Sequence, residues 1–180
     1  KDKIIHGINV TVPFKKAVIP YMDKLTTESE NTQSVNTIYL ENDKIIGNNT
    51  DINGFELSIK RLKFDLFNKK VFILGAGGVV SSIIYALNKM KASKIFICNR
   101  TREKAENLQK LFYNLNIIEW GEVPNFDIII NAASLSLKKE DDKNLDFSSV
   151  GKNKFFDDVI YNPKETNVLK MGKKLGHKTE

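Results

Sequence analysis

The chain has 180 residues, with 41% hydrophobic and 28% charged side chains and a formal net charge of +6. That balance is globular: intrinsic disorder needs fewer apolar residues and a larger net charge, and no run approaches the roughly 18 apolar residues of a membrane-spanning helix. No charged segment followed by an apolar one opens the chain as a secretory signal would, so the expected compartment is the cytoplasm, with no membrane partner. Cys98 is the single cysteine, which excludes an intrachain disulfide framework and a multi-cysteine zinc site. His6 and His177 have no partners at metal-ligand spacing, so no metal is expected. The basic residues are mostly lysines scattered along the chain without interleaved aromatic side chains, the pattern of a solvated surface rather than of nucleic-acid binding. The chain begins at Lys1 rather than Met and stops at Glu180 without a terminating signal; both ends are expected to be cut.

Residues 8–12 alternate, are β-branched, and end at Pro13, which predicts a strand running into a turn. A helix is expected over 15–25, limited in regularity by Pro20. Residues 35–40 and 44–47 read as two strands, and Glu41-Asn42-Asp43 between them has hairpin-turn chemistry. Over 51–62, Ile52, Phe55, Ile59 and Leu62 recur at spacings of three and four, which predicts an amphipathic helix with Asp51 near its N-cap.

After residue 66 the pattern changes. Residues 71–74 are wholly apolar, the signature of a strand buried on both faces, and lead straight into Gly75-Ala76-Gly77-Gly78 and a helix to about residue 89. Strands follow at 95–98, 126–130 and 155–160, and helices at 103–115 and 165–175. Alternation of buried strands with helices predicts an α/β fold with a parallel sheet and right-handed crossovers. The domain boundary is placed in the helix after Asp51. The part before it is too short for a core of its own, which points to a missing N-terminal portion.

Four stretches carry candidate chemistry. A glycine turn between a strand and a helix lets backbone N–H groups and the helix dipole meet a pyrophosphate, although Val80 stands where that fingerprint has Gly or Ala. The next strand ends at Asn99-Arg100-Thr101 rather than at the carboxylate that takes the ribose hydroxyls in NAD-binding domains. Arg100, Thr101, Arg102 and Lys104 cluster there instead, which suits a 2′-phosphate and predicts NADP as cofactor. Asn9, Thr11 and Lys15 interrupt an apolar strand end where binding groups sit, though a lysine after a strand is commonly a solvated surface residue. Asn48-Asn49-Thr50-Asp51 taken alone is a polar helix cap, and Asn131-Ala132-Ala133-Ser134 is either an ordinary loop or a ligand-binding strand end.

Together, Asn9 to Lys15, Val35-Asn36-Thr37, Asn49-Thr50-Asp51 with Gly54-Phe55, Gly75 to Gly78, Asn99-Arg100-Thr101, Asn131 to Ser134, and Tyr161-Asn162-Pro163 with Thr166 resemble the shikimate dehydrogenase family in order and spacing. The resemblance implies an enzyme that reversibly reduces 3-dehydroshikimate to shikimate with NADP, on the route to chorismate and the aromatic amino acids. It implies residues 1–55 as the C-terminal part of a substrate domain and 56–180 as a Rossmann-like NADP-binding domain whose closing helix is missing. Carried over residue by residue, it implies Lys15 and Asp51 as the catalytic pair and Thr11, Asn36 and Tyr161 as substrate contacts. For the cofactor it implies Gly75, Ala76, Gly77 and Gly78 at the phosphates, Asn99, Arg100, Thr101 and Lys104 around the 2′-phosphate, and Asn131 and Ala132 beside the nicotinamide. Ala133 and Leu135-Ser136-Leu137 replace the Thr and Gly that the family has there. The family's upstream Ser-x-Ser segment and closing Gln helix would lie outside the chain, so the 180 residues alone are expected to be inactive. Quinate with NAD, or a non-catalytic nucleotide-binding regulator, are the alternatives; retention of both Lys15 and Asp51 argues against the regulator. The expected assembly is a monomer or homodimer acting on a small molecule.

Overall fold

The computed structural model describes residues 5–133, 145–160 and 162–180. These divide into two compact units, one of residues 1–65 and 78–90 and the other of 66–77 and 91–180.

The first unit is built on a four-stranded sheet. Its strands are β1 (Gly7–Asn9), β2 (Lys24–Leu25), β3 (Thr37–Glu41) and β4 (Lys44–Asn48), in the order β1-β3-β4-β2. β3 and β4 form the expected hairpin. Asn42 and Asp43 both take positive φ (51° and 61°), the two-residue turn whose twist matches the strands it joins. Helix α1 (Thr27–Thr32) follows β2, and α2 (Asp51–Arg61) buries Ile52, Phe55 and Ile59, the face its apolar spacing predicts. Helix α3 (Val80–Lys89) completes the unit by packing against α1 and α2, with Lys89 Nζ 2.6 Å from Glu56 Oε1 of α2.

The helix expected over 15–25 is absent. That stretch forms turns, a 3-10 turn at Ile19–Tyr21, and β2. In an α-helix the Lys15 carbonyl would accept from Ile19, but here it accepts from the Val35 N–H at 2.8 Å, and Ile19 N–H turns to the Lys16 carbonyl. Further on, the N–H groups of Asp23 and Thr26 donate to Ile45 and Gly47 of β4. Neighbouring strands thus occupy the backbone groups that a helix would need.

The second unit is a six-stranded, wholly parallel sheet. Its strands are β5 (Lys70–Leu74), β6 (Lys94–Cys98), β7 (Leu115–Ile117), β8 (Ile128–Asn131), β9 (Phe155–Asp158) and β10 (Lys178–Thr179), in the order β10-β9-β8-β5-β6-β7. Chain order runs outward in both directions from the β5–β8 pair, so that pair is the switch point of a doubly wound sheet, where such folds bind ligands beyond the carboxyl ends of the strands. The expected parallel α/β fold is therefore present. Helix α4 (Arg102–Leu111) stops four residues short of the expected 115, because Leu115 is spent as a buried residue opening β7, paired with Ile95.

The core of this unit holds Phe72, Phe126, Phe147 and Phe156, edge-on or tilted to one another at 5.4 to 6.3 Å between centroids. His177 stacks on Phe156 at 5.2 Å, and helix α5 (Asn167–Lys174) lies close through Gly172. A Cβ at Gly172 would sit 2.7 Å from Phe156 Cγ, and the ring is boxed in by this cluster. Gly172→Ala should therefore destabilise the protein by about 1–3 kcal/mol, the range for overpacking, read as a lower denaturant midpoint at unchanged m-value.

Candidate active site

In the first unit, Lys15 sits in the turn segment after β1, its backbone tied to Val35 as described. Its Nζ donates to Asp51 Oδ2 at 2.7 Å, with the two side chains 13% and 21% exposed. Asp51 opens α2, where the partial positive charge of the helix N-terminus favours a carboxylate. Its second oxygen, Oδ1, accepts from Asn36 Nδ2 at 2.8 Å, so each carboxylate oxygen has its own donor. Asn36 Oδ1 in turn accepts from the Thr50 N–H at 2.9 Å and from Thr37 Oγ1 at 3.0 Å. The arrangement holds an ammonium by one charge-assisted hydrogen bond while leaving it partly open, the state in which it can pass a proton to an oxyanion and take it back.

Three predicted residues, Lys15, Asp51 and Asn36, are thus brought together. Thr11 is exposed in the same turn, its carbonyl accepting from the Phe14 N–H. Asn49, which read as part of a polar cap, is almost fully buried. Its Oδ1 accepts from the Asp51 N–H at 3.1 Å, and its Nδ2 donates to Thr32 Oγ1 and Ser82 Oγ, both at 2.9 Å. The sequence signal was present, an Asn two residues before an N-terminal helix carboxylate. Its partners are distant in the chain and could not be read from it.

In the second unit, the predicted cofactor residues gather at the carboxyl ends of three adjacent strands. Gly75-Ala76-Gly77 leaves β5, Asn99-Arg100-Thr101 leaves β6, and Asn131-Ala132 ends β8. Gly75 has φ +103°, and a Cβ there would lie 2.7 Å from the Ala133 nitrogen, so only glycine allows the β5 and β8 loops to approach so closely. At Gly77 and Gly78 a Cβ would meet nothing nearer than 3.6 Å. The protein's own packing does not demand glycine at those two positions, which leaves the room that phosphate oxygens need against the backbone. The residues present fit a dinucleotide pyrophosphate.

Around the end of β6, Arg100, Thr101 and Lys104 are exposed at the start of α4, and Asn99 Nδ2 donates to the Thr101 carbonyl at 2.7 Å. Thr101 is the N-cap of α4, and its hydroxyl makes no cap bond. Arg102 is engaged elsewhere, paired with Glu106 and Glu119. Cys98 at the strand end is buried, and burial pushes its thiol up to about 11, so it carries no thiolate chemistry near neutrality. Tyr161 and Ser134, together with Leu135-Ser136-Leu137, lie outside the described residues.

Comparison with known proteins gives the frame for these two clusters. Residues 56–165 match the family profile described as shikimate / quinate 5-dehydrogenase, and residues 1–38 match the shikimate dehydrogenase substrate binding domain. The chain belongs to the shikimate/quinate dehydrogenase family. Among the family's curated members, the shikimate dehydrogenase (NADP(+)) of Pelagibacter ubique is 57% identical over 176 residues, covering 98% of this chain and 66% of that one. The crystal structure of the Aquifex aeolicus shikimate dehydrogenase superposes with a TM-score of 0.82 at 38% identity, over 97% of this chain and 65% of that one. The Thermus thermophilus shikimate 5-dehydrogenase, solved with NADP(H) and shikimate, superposes with a TM-score of 0.85 at 26% identity, over 99% of this chain and 67% of that one. The chain spans about two thirds of the length of the family members it matches.

Proposed function

We propose that the whole protein catalyses the NADP-dependent, reversible reduction of 3-dehydroshikimate to shikimate. Residues 1–55 serve the substrate and 56–180 the cofactor in this reading, and the enzyme works in the cytoplasm as a monomer or homodimer. What carries the proposal is the Lys15–Asp51 ion pair with Asn36 on the second carboxylate oxygen, in a chain that also holds the glycine turn and Arg100 at the ends of β5 and β6. The names of the relatives, shikimate dehydrogenase (NADP(+)), support the same substrate and cofactor.

Bound NADPH supplies the hydride. As negative charge grows on the carbonyl oxygen of the substrate, the Lys15 ammonium gives it a proton, and the ketone becomes an alcohol. Asp51 orients Lys15 through their hydrogen bond; Asn36 holds Asp51, and with Thr11 and Tyr161 faces the hydroxyl groups of the ring. In the oxidising direction the neutral Lys15 amine takes the alcohol proton back. Gly75 to Gly78 hold the pyrophosphate, Asn99, Arg100, Thr101 and Lys104 hold the 2′-phosphate, and Asn131 and Ala132 border the nicotinamide.

The direct test is NADP(+)-dependent oxidation of shikimate by the whole protein, with quinate and NAD(+) as controls. Cofactor binding with turnover of neither alcohol would move the assignment to a regulator. Arg100→Ala should raise the KM for NADP(+) about 10- to 100-fold, the loss of one charge-assisted hydrogen bond, and leave the KM for NAD(+) within about twofold. Equal effects on both cofactors would remove Arg100 from the 2′-phosphate site.

A further inference from the structure

Three groups converge on Asp158, the last residue of β9. Its Oδ2 accepts from Asn131 Nδ2 at 2.8 Å and from Thr166 Oγ1 at 2.5 Å, and its Oδ1 accepts from the Ile160 N–H at 2.9 Å. Asn131 and Thr166 are 1% and 2% exposed, so water does not compete for these groups and each needs its partner. The Thr166 hydroxyl also accepts from the Leu169 N–H, capping α5.

An asparagine amide has one donating and one accepting end, and an ionised carboxylate only accepts. Asp158 therefore sets which way the Asn131 amide faces. With Nδ2 turned to Asp158, Asn131 Oδ1 accepts from the Ala133 N–H at 3.3 Å and bends the chain just after β8. The Ala133 nitrogen is the atom that a Cβ on Gly75 would approach to 2.7 Å, so the same bend sets the spacing between the β8 loop and the glycine turn of β5 at the switch point of the sheet.

We propose that Asp158 is a positioning residue for the cofactor site: by orienting the Asn131 amide it fixes the backbone of 131–133 against the glycine turn. The inference rests on the reading that Asn131 and Ala132 border the bound dinucleotide. In this role Asp158 acts through Asn131, to which it is bonded directly.

The test is a swap in the whole protein, read by the NADP(+) dissociation constant, by kcat for shikimate oxidation and by Tm. Asp158→Asn leaves one accepting end where three donors converge, so Asn131 Nδ2, Thr166 Oγ1 and the Ile160 N–H can no longer all be satisfied, and Asn131→Asp sets two carboxylates together. Each is expected to weaken NADP(+) binding at least tenfold and to lower kcat. The double exchange, Asp158→Asn with Asn131→Asp, restores a donor facing an acceptor at unchanged net charge and should return binding to within about threefold of wild type. Thr166→Val, which removes a bond to the same carboxylate but leaves the Asn131 pair, should lower Tm and leave the NADP(+) dissociation constant within about twofold. Folded single variants that bind NADP(+) as wild type does, or a double variant no better than the singles, would overturn the proposal. Should Asp158→Asn fail to fold, Asn131→Asp against the double exchange makes the same comparison. The binding readout needs no turnover, so a wild-type protein that binds NADP(+) without oxidising shikimate refutes the substrate and leaves the role of Asp158 testable.

Discussion

Lys15→Ala in the whole protein should lower kcat for shikimate oxidation by about 10²- to 10⁴-fold, the usual contribution of a positioned acid–base group. The substitution leaves Asp51 bonded to Asn36 through its other oxygen and to Asn49 through its backbone N–H, so the start of α2 keeps its anchors. Tm should therefore move by only a few degrees, and NADP(+) binding, assigned to residues on other strands, should be unchanged. Asp51→Asn is expected to lower kcat less, because the amine stays while the charge that holds it is lost. A Lys15→Ala enzyme turning over at the wild-type rate would make Lys15 a surface lysine and remove the observation on which the proposed reaction rests.

Asp157→Asn should raise stability at neutral and alkaline pH and remove most of the pH dependence of unfolding between about pH 4 and pH 7. Asp157 precedes Asp158 on β9. Burial, followed by the charges of Asp158 and Glu180, pushes its carboxyl up to about 7. In the unfolded chain the group titrates near the ordinary carboxylate value of about 3.9. Between these values the folded protein holds a proton that the unfolded chain has released, so stability is greatest below pH 4 for this group and falls as pH rises toward 7. The slope is at most about 1.4 kcal/mol per pH unit, and the total is on the order of 2–4 kcal/mol. Thermal unfolding of wild type and Asp157→Asn at pH 5 and pH 8 measures it: the variant should gain over wild type at pH 8 much more than at pH 5. An equal difference at both values would show that Asp157 keeps an ordinary carboxylate titration in the fold.

Both predictions depend on contacts of different visibility in the sequence. The parallel sheet was readable because strands buried on both faces are apolar runs; 71–74 and 95–98 announce β5 and β6, 126–130 announces β8 despite Asp127, and the glycines after the first mark its turn. The β3–β4 hairpin was readable from Asn42-Asp43, whose side chains tolerate positive φ. The helix α2 was readable because its buried face repeats at helical spacing. By contrast, α1 is Thr-Glu-Ser-Glu-Asn-Thr, with no apolar stripe; Thr26 caps it and Thr32 meets Asn49. The strands β2 and β10 are two residues long and exist only because β4 and β9 offer open edges beside them. The apolar spacing of Leu108, Leu111 and Leu115 reads as helix, and only the pairing of Leu115 with Ile95 turns the last of them into strand.

The local chemistry of the site and its family were thus written in short motifs: a lysine after a strand, an Asn-Thr-Asp at a helix start, a glycine turn, an arginine where a carboxylate would select NAD. Their spatial partners were not. Lys15 and Asp51 are 36 positions apart, and Asn131 and Asp158 are 27 apart. Whether Asn131 and Asp158 meet depends on sheet order and on register to a single residue, since a slip of one would turn each side chain to the opposite face, and Lys15 meets Asp51 only through the fold of the first unit. Periodicity reports which face of an element is buried, and carries no record of which strand lies beside it. Asp157 and Asp158 show the difference most plainly: adjacent in the chain and identical in type, they are directed to opposite faces of β9, where one is driven toward neutrality and the other gathers three donors.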